Sequence, residues 1–230
     1  MALFCSPIAY VALAFFALVT SLWFVLWFQV GTVATLRYEF SGILYVLILV
    51  APAISMRMLS EEFQSGTIEL LLTSPITDAQ IVIGKWLGSL MFFAVLLSPV
   101  VVHVLILEWY AEPEWGPIIT GFVGLLLAGG LYLAIGAVVS ASNRNLVASF
   151  FITALLIGIV TYGMYLLAAW EGMPAFLTPL RDAAPYINVT FQYENFAKGL
   201  IDIRNLLYFV SAIAMLLYTA VKLLESKRWR

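Results

Sequence analysis

Long apolar stretches alternate with short polar segments along nearly the whole chain. A helix that crosses the hydrocarbon core of a membrane needs about 20 apolar residues, and the residue-by-residue alternation of a membrane barrel is absent. The pattern therefore predicts an all-α polytopic membrane protein with one transmembrane domain, residues 1–230. We place its six transmembrane helices at about residues 7–28, 40–56, 86–107, 118–140, 146–170 and 206–224.

Composition excludes a soluble globular domain. Hydrophobic residues make up 63% of the 230 residues and charged residues only 10%, against about 25% charged in ordinary soluble domains. The 11 basic and 13 acidic residues give a net charge of −2. No basic field exists to hold nucleic acid, and we expect none as a partner, whereas membrane lipid is an expected one.

Basic residues predict which side each segment faces. With both termini cytoplasmic, seven basic residues fall inside and four outside, the distribution that membrane proteins favour. The inner ones are Arg57, Lys85, Arg144, Lys222, Lys227, Arg228 and Arg230, and the outer ones are Arg37, Arg181, Lys198 and Arg204. All acidic residues are predicted at span ends or in loops, Glu39 among them on the external side. Because ion-coupled transporters keep charged or polar groups near the midplane, we expect any energy to come from another polypeptide.

The cytoplasmic segment between spans two and three, residues 57–85, has strong helix start and stop signals. Gly66 is a helix stop, Ser74-Pro75 breaks a short helix that Thr67 can cap, and Thr77 and Gln80 have the spacing of a capping box. The segment is predicted to form a compact, half-apolar protrusion on the cytoplasmic side of the membrane. A helix lying passively among lipid headgroups and a docking site for a partner are both open.

The external segment between spans five and six, residues 171–205, is irregular in its first half because it contains Pro174, Pro179 and Pro185. Its second half mixes apolar and charged residues in short amphipathic pieces. A re-entrant or interfacial hairpin fits this pattern, and so does a lid packed over the bundle.

Within the spans, small residues and a proline carry the structural signals. Gly121, Gly124 and Ala128 share one face of the fourth span, where we favour intramolecular packing over a dimer face. Pro99 predicts a kink in the third span.

No catalytic, cofactor-binding or metal site is predicted. Gly84-Lys85 is the only Gly-Lys pair, but Ala79 and Trp86 break the spacing of a nucleotide-binding loop. His103 is the single histidine, and we expect it to be a satisfied packing residue. An intramembrane hydrolase that uses Ser89 or His103 is a further hypothesis, which lacks the G-x-S-x-G motif.

The cytoplasmic segment resembles a known motif. Residues 60–75 read SEEFQSGTIELLLTSP and are followed by Ile83-Gly84-Lys85. This run resembles the E-x-x-x-G-T-x-E-x-L-L-x-x-P motif that permease subunits of ABC-2 type transporters carry between spans two and three. Residues 112–118, 142–145, 195–199 and 224–229 are similar to the gliding-motility-type branch.

The resemblance implies that the chain is not an enzyme but a permease subunit that dimerises with itself or a related chain and sits on a separate ABC ATPase. ATP and Mg would be bound by that ATPase, with no cofactor in this chain. The motif positions implied to couple the two proteins are Glu61, Glu62, Gly66, Thr67, Glu69, Leu72 and Pro75. Residues of the implied re-entrant external segment are Phe191, Phe196, Gly199 and Asp202.

The function that the resemblance implies is export across the cytoplasmic membrane of a prokaryote, driven by ATP. The alternative is a mechanical or scaffolding membrane subunit that acts on an external or periplasmic partner without transport. Such permeases commonly begin with a basic amphipathic helix, whereas only Met1–Ser6 precede Pro7 here. We therefore expect a truncated start or a reduced contact with the ATPase. No charge ring, aromatic cage or midplane polar cluster identifies a substrate.

Overall fold

A computed structural model describes residues 7–27, 35–68, 76–170 and 178–228, and these residues form helices without a strand. The elements are α1 (Pro7–Trp27), α2 (Arg37–Ser55), α3 (Ser60–Ser65), α4 (Asp78–Leu96), α5 (Ser98–Tyr110), α6 (Trp115–Ser142), α7 (Leu146–Gly158), a π-helical turn (Ile159–Gly163), α8 (Met164–Ala169), α9 (Thr178–Ile187), α10 (Val189–Ala197) and α11 (Ile203–Arg228). The prediction of an all-helical protein is confirmed for this part of the chain.

Five helical stretches among the described residues are long and apolar enough to cross a membrane. They are Arg37–Ser65, Asp78–Tyr110, Trp115–Ser142, Leu146–Ala169 and Ile203–Lys227. These stretches coincide with five of the predicted spans, so the chain is a multi-pass membrane protein. The apolar part of α1 is the shorter stretch Tyr10–Leu26, and a sixth span therefore stays a prediction.

Helix α6 is the centre of the bundle, since 72% of its most apolar 18-residue stretch is buried. Its glycines lie directly against aromatic side chains of its neighbours: Gly121 against Phe40 of α2, Gly124 against Tyr193 and Phe196 of α10, and Gly129 against Phe93 of α4. Small residues let helix backbones approach closely. The small-residue face of this span therefore serves intramolecular packing, as predicted.

The directions of the helices follow from these contacts. Phe40 and Ser55, near the two ends of α2, face Gly121 and Gly136 of α6, so α2 and α6 run parallel. The start of α7 lies beside the end of α6, as shown by Ser60, which is hydrogen-bonded both to Ser140 and to Ser149. The part of the bundle that holds α3, the starts of α4 and α7 and the ends of α6 and α11 is called the α3 end below.

The third predicted span is interrupted near Pro99, as predicted. Helix α4 ends at Leu96 and α5 begins at Ser98, with Pro99 in its first turn. Proline has no N–H to donate and its ring clashes with the preceding turn, so the regular helix stops there. Helix α4 begins at Asp78, directly after Thr77, and runs into the third span, as predicted. Helix α2 begins at Arg37, three residues before the predicted span.

Candidate functional site

The predicted coupling residues lie around the short helix α3. Glu61 and Glu62 belong to α3, while Gly66 and Thr67 follow it immediately. Glu69, Leu72 and Pro75 lie outside the described residues, as does most of the helix that Thr67 is predicted to cap. The candidate site is therefore α3 together with the side chains that hold it.

Gly66 ends α3 in the way that the sequence predicts. Its φ is +75° and its conformation is left-handed, which costs an L-residue with a side chain about 1–2 kcal/mol. Glu61, Gln64 and Ser65 are exposed on the outer face of α3, and Ser65 Oγ lies 2.8 Å from Thr67 Oγ1. The outer face is therefore polar and open.

Ser60 anchors the inner face of α3 in the bundle. Its side chain is fully buried, its Oγ lies 2.8 Å from Ser149 Oγ of α7, and it donates to the Ser140 carbonyl of α6 at 3.2 Å. Buried hydroxyls need such partners because an unsatisfied one costs about 1–3 kcal/mol. These bonds join α3 to two transmembrane helices.

An ion pair joins α3 to a third helix. Lys85 of α4 donates to Oε1 of Glu62, and the two side chains are 25% and 23% exposed. Partial burial reduces the screening of such a pair by solvent and salt. A displacement of α3 would therefore act directly on α4.

The return of the chain from this segment into the membrane is also well defined. Thr77 Oγ1 accepts from the Gln80 N–H at 3.3 Å, and Gln80 Oε1 accepts from the Thr77 N–H at 3.0 Å. The predicted capping box is confirmed, and it satisfies two N–H groups at the start of α4.

At the opposite end of the bundle, two of the predicted external residues lie in α10 and two lie in the connection between α10 and α11. Phe196 is fully buried against α6, and Thr120 Oγ1 donates to its carbonyl at 2.6 Å. Phe191 is 37% exposed and lies beside Tyr165. Gly199 has a φ of +86°, and the Asp202 carboxylate accepts from the Arg204 N–H at 2.9 Å, at the start of α11. The four residues thus have different surroundings, and their shared role in a re-entrant segment stays a prediction.

The external segment packs deeply against α6. The Gly121 carbonyl accepts from the Tyr193 hydroxyl at 3.3 Å, and Gly124 lies against Tyr193 and Phe196. These two glycines lie six and nine residues after the first residue of α6, which is about 9 and 14 Å along the helix axis. Burial raises the pKa of the Tyr193 hydroxyl well above its usual value. A hydrogen bond from Lys198, assisted by Arg37, lowers the pKa of the exposed Glu194 carboxyl.

A buried polar group that the sequence does not reveal joins α1, α2 and α5. Glu39, predicted on the external side among the acidic residues at span ends or in loops, lies in the first turn of α2 and is only 3% exposed. Its Oε1 is 2.5 Å from His103 Nδ1, and His103 Nε2 is 3.1 Å from Ser21 Oγ. Helix α2 begins about one turn before the hydrophobic run, so Glu39 lies at the end of a span, and it is the burial of its carboxylate that the sequence does not reveal. His103 is a satisfied packing residue, as expected.

The structure does not support a hydrolase centre. His103 is bonded to Glu39 and Ser21, whereas the buried Ser89 hydroxyl has no hydrogen-bond partner among the described residues. The described residues also contain no group of three or more His, Cys, Asp or Glu side chains able to hold a metal ion.

A second unpredicted polar cluster lies near the middle of α6. Tyr132 OH is 2.7 Å from Thr161 Oγ1, and Asn188 donates to the Thr161 carbonyl at 2.8 Å. Thr161 belongs to the π-helical turn, whose altered hydrogen-bond pattern leaves backbone groups for outside partners. The cluster is uncharged and its hydroxyl and amide groups are paired within the chain, so it does not identify a substrate.

A family model described as "ABC-2 family transporter protein" covers residues 6–226. No curated protein matches the chain.

Proposed function

Because the chain belongs to the ABC-2 family of transporter proteins, we propose that it is the membrane subunit of an ATP-driven exporter. A separate ABC ATPase binds ATP and Mg and docks on residues 57–85 at the α3 end. This chain supplies the transmembrane helices that the ATPase moves.

The observation that carries the proposal is the way in which α3 is held. Its outer face is polar and exposed, while its inner face is bonded to α4, α6 and α7 through Ser60 and Glu62. A six-residue helix is too short to be stable alone, so its position depends on these helices. A push on the outer face is then transmitted to three transmembrane helices.

The mechanism follows from two packings of one bundle. ATP binding draws two ATPase subunits together and displaces the α3 segments that rest on them. Each displacement acts on α4 through the Glu62–Lys85 pair and on α6 and α7 through Ser60. ATP thereby changes the populations of inward-open and outward-closed arrangements. The interruption beside Pro99 is the place where α4 and α5 change their mutual angle.

Two apolar stretches leave room for a second permease subunit, either a copy of this chain or a related one. In the most apolar 18 residues of Leu146–Ala169, only 22% are buried within the chain. In those of Ile203–Lys227, only 11% are buried. Such apolar faces are covered by lipid or by another subunit. The distribution of basic residues supports a cytoplasmic α3 end. The membrane that the family resemblance implies is the cytoplasmic membrane of a prokaryote.

The test is purification of the tagged full-length chain from its native membranes, with ATP turnover measured on the complex. In the variant Glu62→Arg we expect loss of the ATPase or at least tenfold lower turnover, because two cations then face each other at α3. Glu225→Arg is the matched control, since it reverses an exposed glutamate near the same end.

Unchanged complex formation and turnover in Glu62→Arg would contradict docking at α3. Structures of the complex with and without ATP separate export from the mechanical alternative. An open path between two permease subunits supports export, whereas a dry, closed interface in every nucleotide state supports action on an external partner.

A further inference from the structure

The last turn of α11 contacts both α3 and the end of α6 through one side chain. Lys227 Nζ lies 4.0 Å from the centroid of the Phe63 ring of α3. The same ammonium group donates to the Ala141 carbonyl at 2.6 Å and to the Ser142 carbonyl at 3.2 Å. Lys227, in the last turn of α11, is thus in contact with α3, the candidate docking element.

The groups around Lys227 Nζ, two carbonyl oxygens and an aromatic ring, all attract a cation. Helix α6 ends at Ser142, so the carbonyls of its last turn lack partners within the helix. They carry partial negative charge, which attracts a cation. The face of the Phe63 ring attracts the same cation, and the ammonium group therefore bridges α6 and α3.

We propose that Lys227 is a positioning residue that holds α3 in the orientation in which the ATPase meets it, an inference that rests on the proposed function. Ser60 and Glu62 hold α3 against α4, α6 and α7, and Lys227 adds a fourth helix through the Phe63 ring. Movement of α11 then changes the presentation of α3, and movement of α3 reaches α11.

A role limited to capping α6 makes a different prediction. The bonds to Ala141 and Ser142 do not involve Phe63, so loss of the cap and loss of the ring would act independently. A role through Phe63 requires the two changes to be coupled. A double-mutant cycle separates these two roles.

The experiment is hydrogen exchange of the peptide covering residues 60–68, in the full-length chain reconstituted in lipid nanodiscs. Lys227→Met keeps an unbranched side chain as far as the ε position and removes the ammonium group, and we expect about tenfold faster exchange. Lys227→Arg, which keeps a donor and a cation for the ring, is expected to stay within about twofold of wild type. Lys222→Met removes an exposed lysine of the same helix and serves as the control.

The cycle with Phe63→Leu gives the deciding readout. We expect Phe63→Leu alone to speed exchange, and the double variant with Lys227→Met to be no faster than the faster single variant. Independent effects that multiply, or unchanged exchange in Lys227→Met, would overturn the positioning role.

The ATPase that purifies with the wild-type chain provides the second readout. We expect Lys227→Met to raise the half-saturating ATPase concentration about tenfold while ATP turnover at saturation stays within about twofold of wild type. The two proposals fail differently: a wild-type chain that binds no ATPase overturns the proposed function. Normal binding with unchanged exchange in Lys227→Met overturns only the role of Lys227.

Discussion

The packing of the external segment against α6 is most directly tested by adding one methyl group at Gly124. A Cβ at this position would lie 2.7 Å from the Cβ of Phe196 and 2.8 Å from Cε2 of Tyr193. The Phe196 Cβ is bonded to the backbone of α10, so that side chain cannot rotate away. In Gly124→Ala the whole of α10 must therefore shift from α6.

The size of the effect follows from three contributions. Overpacking of this kind costs about 1–3 kcal/mol. The shift also weakens the bonds from Thr120 to the Phe196 carbonyl and from Tyr193 to the Gly121 carbonyl, each worth about 0.5–1.5 kcal/mol. The higher helix propensity of alanine returns about 1 kcal/mol. The net expectation is a free energy of unfolding about 1–3 kcal/mol lower.

The assay is thermal unfolding of the detergent-solubilised chain, followed by circular dichroism. A loss of that size lowers the midpoint by roughly 2–12 °C for a chain of this length. Gly116→Ala is the matched control, because it lies in the same helix and its Cβ would meet no atom within 4 Å. Its midpoint is expected to stay unchanged or rise. A midpoint of Gly124→Ala at or above that of Gly116→Ala would refute the deep packing of α10.

Three further predictions concern charged groups. If the Glu62–Lys85 pair transmits force as an ion pair, the charge swap Glu62→Arg/Lys85→Glu restores at least half of the ATP turnover that Glu62→Arg loses; no recovery would assign Glu62 to direct contact with the ATPase instead. His103→Ala removes the partner of Glu39 Oε1 while Oε2 already lacks one among the described residues, so unfolding free energy should fall by about 3–5 kcal/mol, and a thermal midpoint equal to wild type would contradict this. The lowered pKa of Glu194 means that its contribution to stability is complete above its unfolded pKa and is lost as pH falls toward its folded pKa. The difference in unfolding midpoint between wild type and Glu194→Gln should therefore shrink between pH 6 and about pH 3, and a difference that grows in acid would refute the sign.

Local signals of the sequence predict local structure well in this protein. The capping box at Thr77 and Gln80, the helix stop at Gly66 and the interruption at Pro99 each depend on a few neighbouring residues. The side chains that decide them are adjacent in the chain, so their chemistry can be read directly. The apolar runs likewise predict membrane helices, because a bilayer requires a minimum apolar length wherever the helices pack.

The burial of Glu39 is a feature that the sequence does not predict. Hydropathy marks where apolar residues begin, but a helix can start earlier if its first turn finds partners in the bundle. Glu39 finds His103, which lies 64 positions away in the sequence. No local pattern pairs these two residues, so the sequence places Glu39 at the external side without showing that its side chain is buried.

By itself, the sequence determined the helical membrane architecture, the caps and stops around α3, and the family motif, because each depends on composition or on close neighbours. Only the tertiary structure decided which polar groups meet: Ser60 with Ser149, Lys227 with Phe63, and Asn188 with Thr161. These pairs join different helices, and their formation depends on the rotation and depth of each helix. The physical reason is that helix packing is set by many contacts at once, so it is not encoded in any single stretch of the chain.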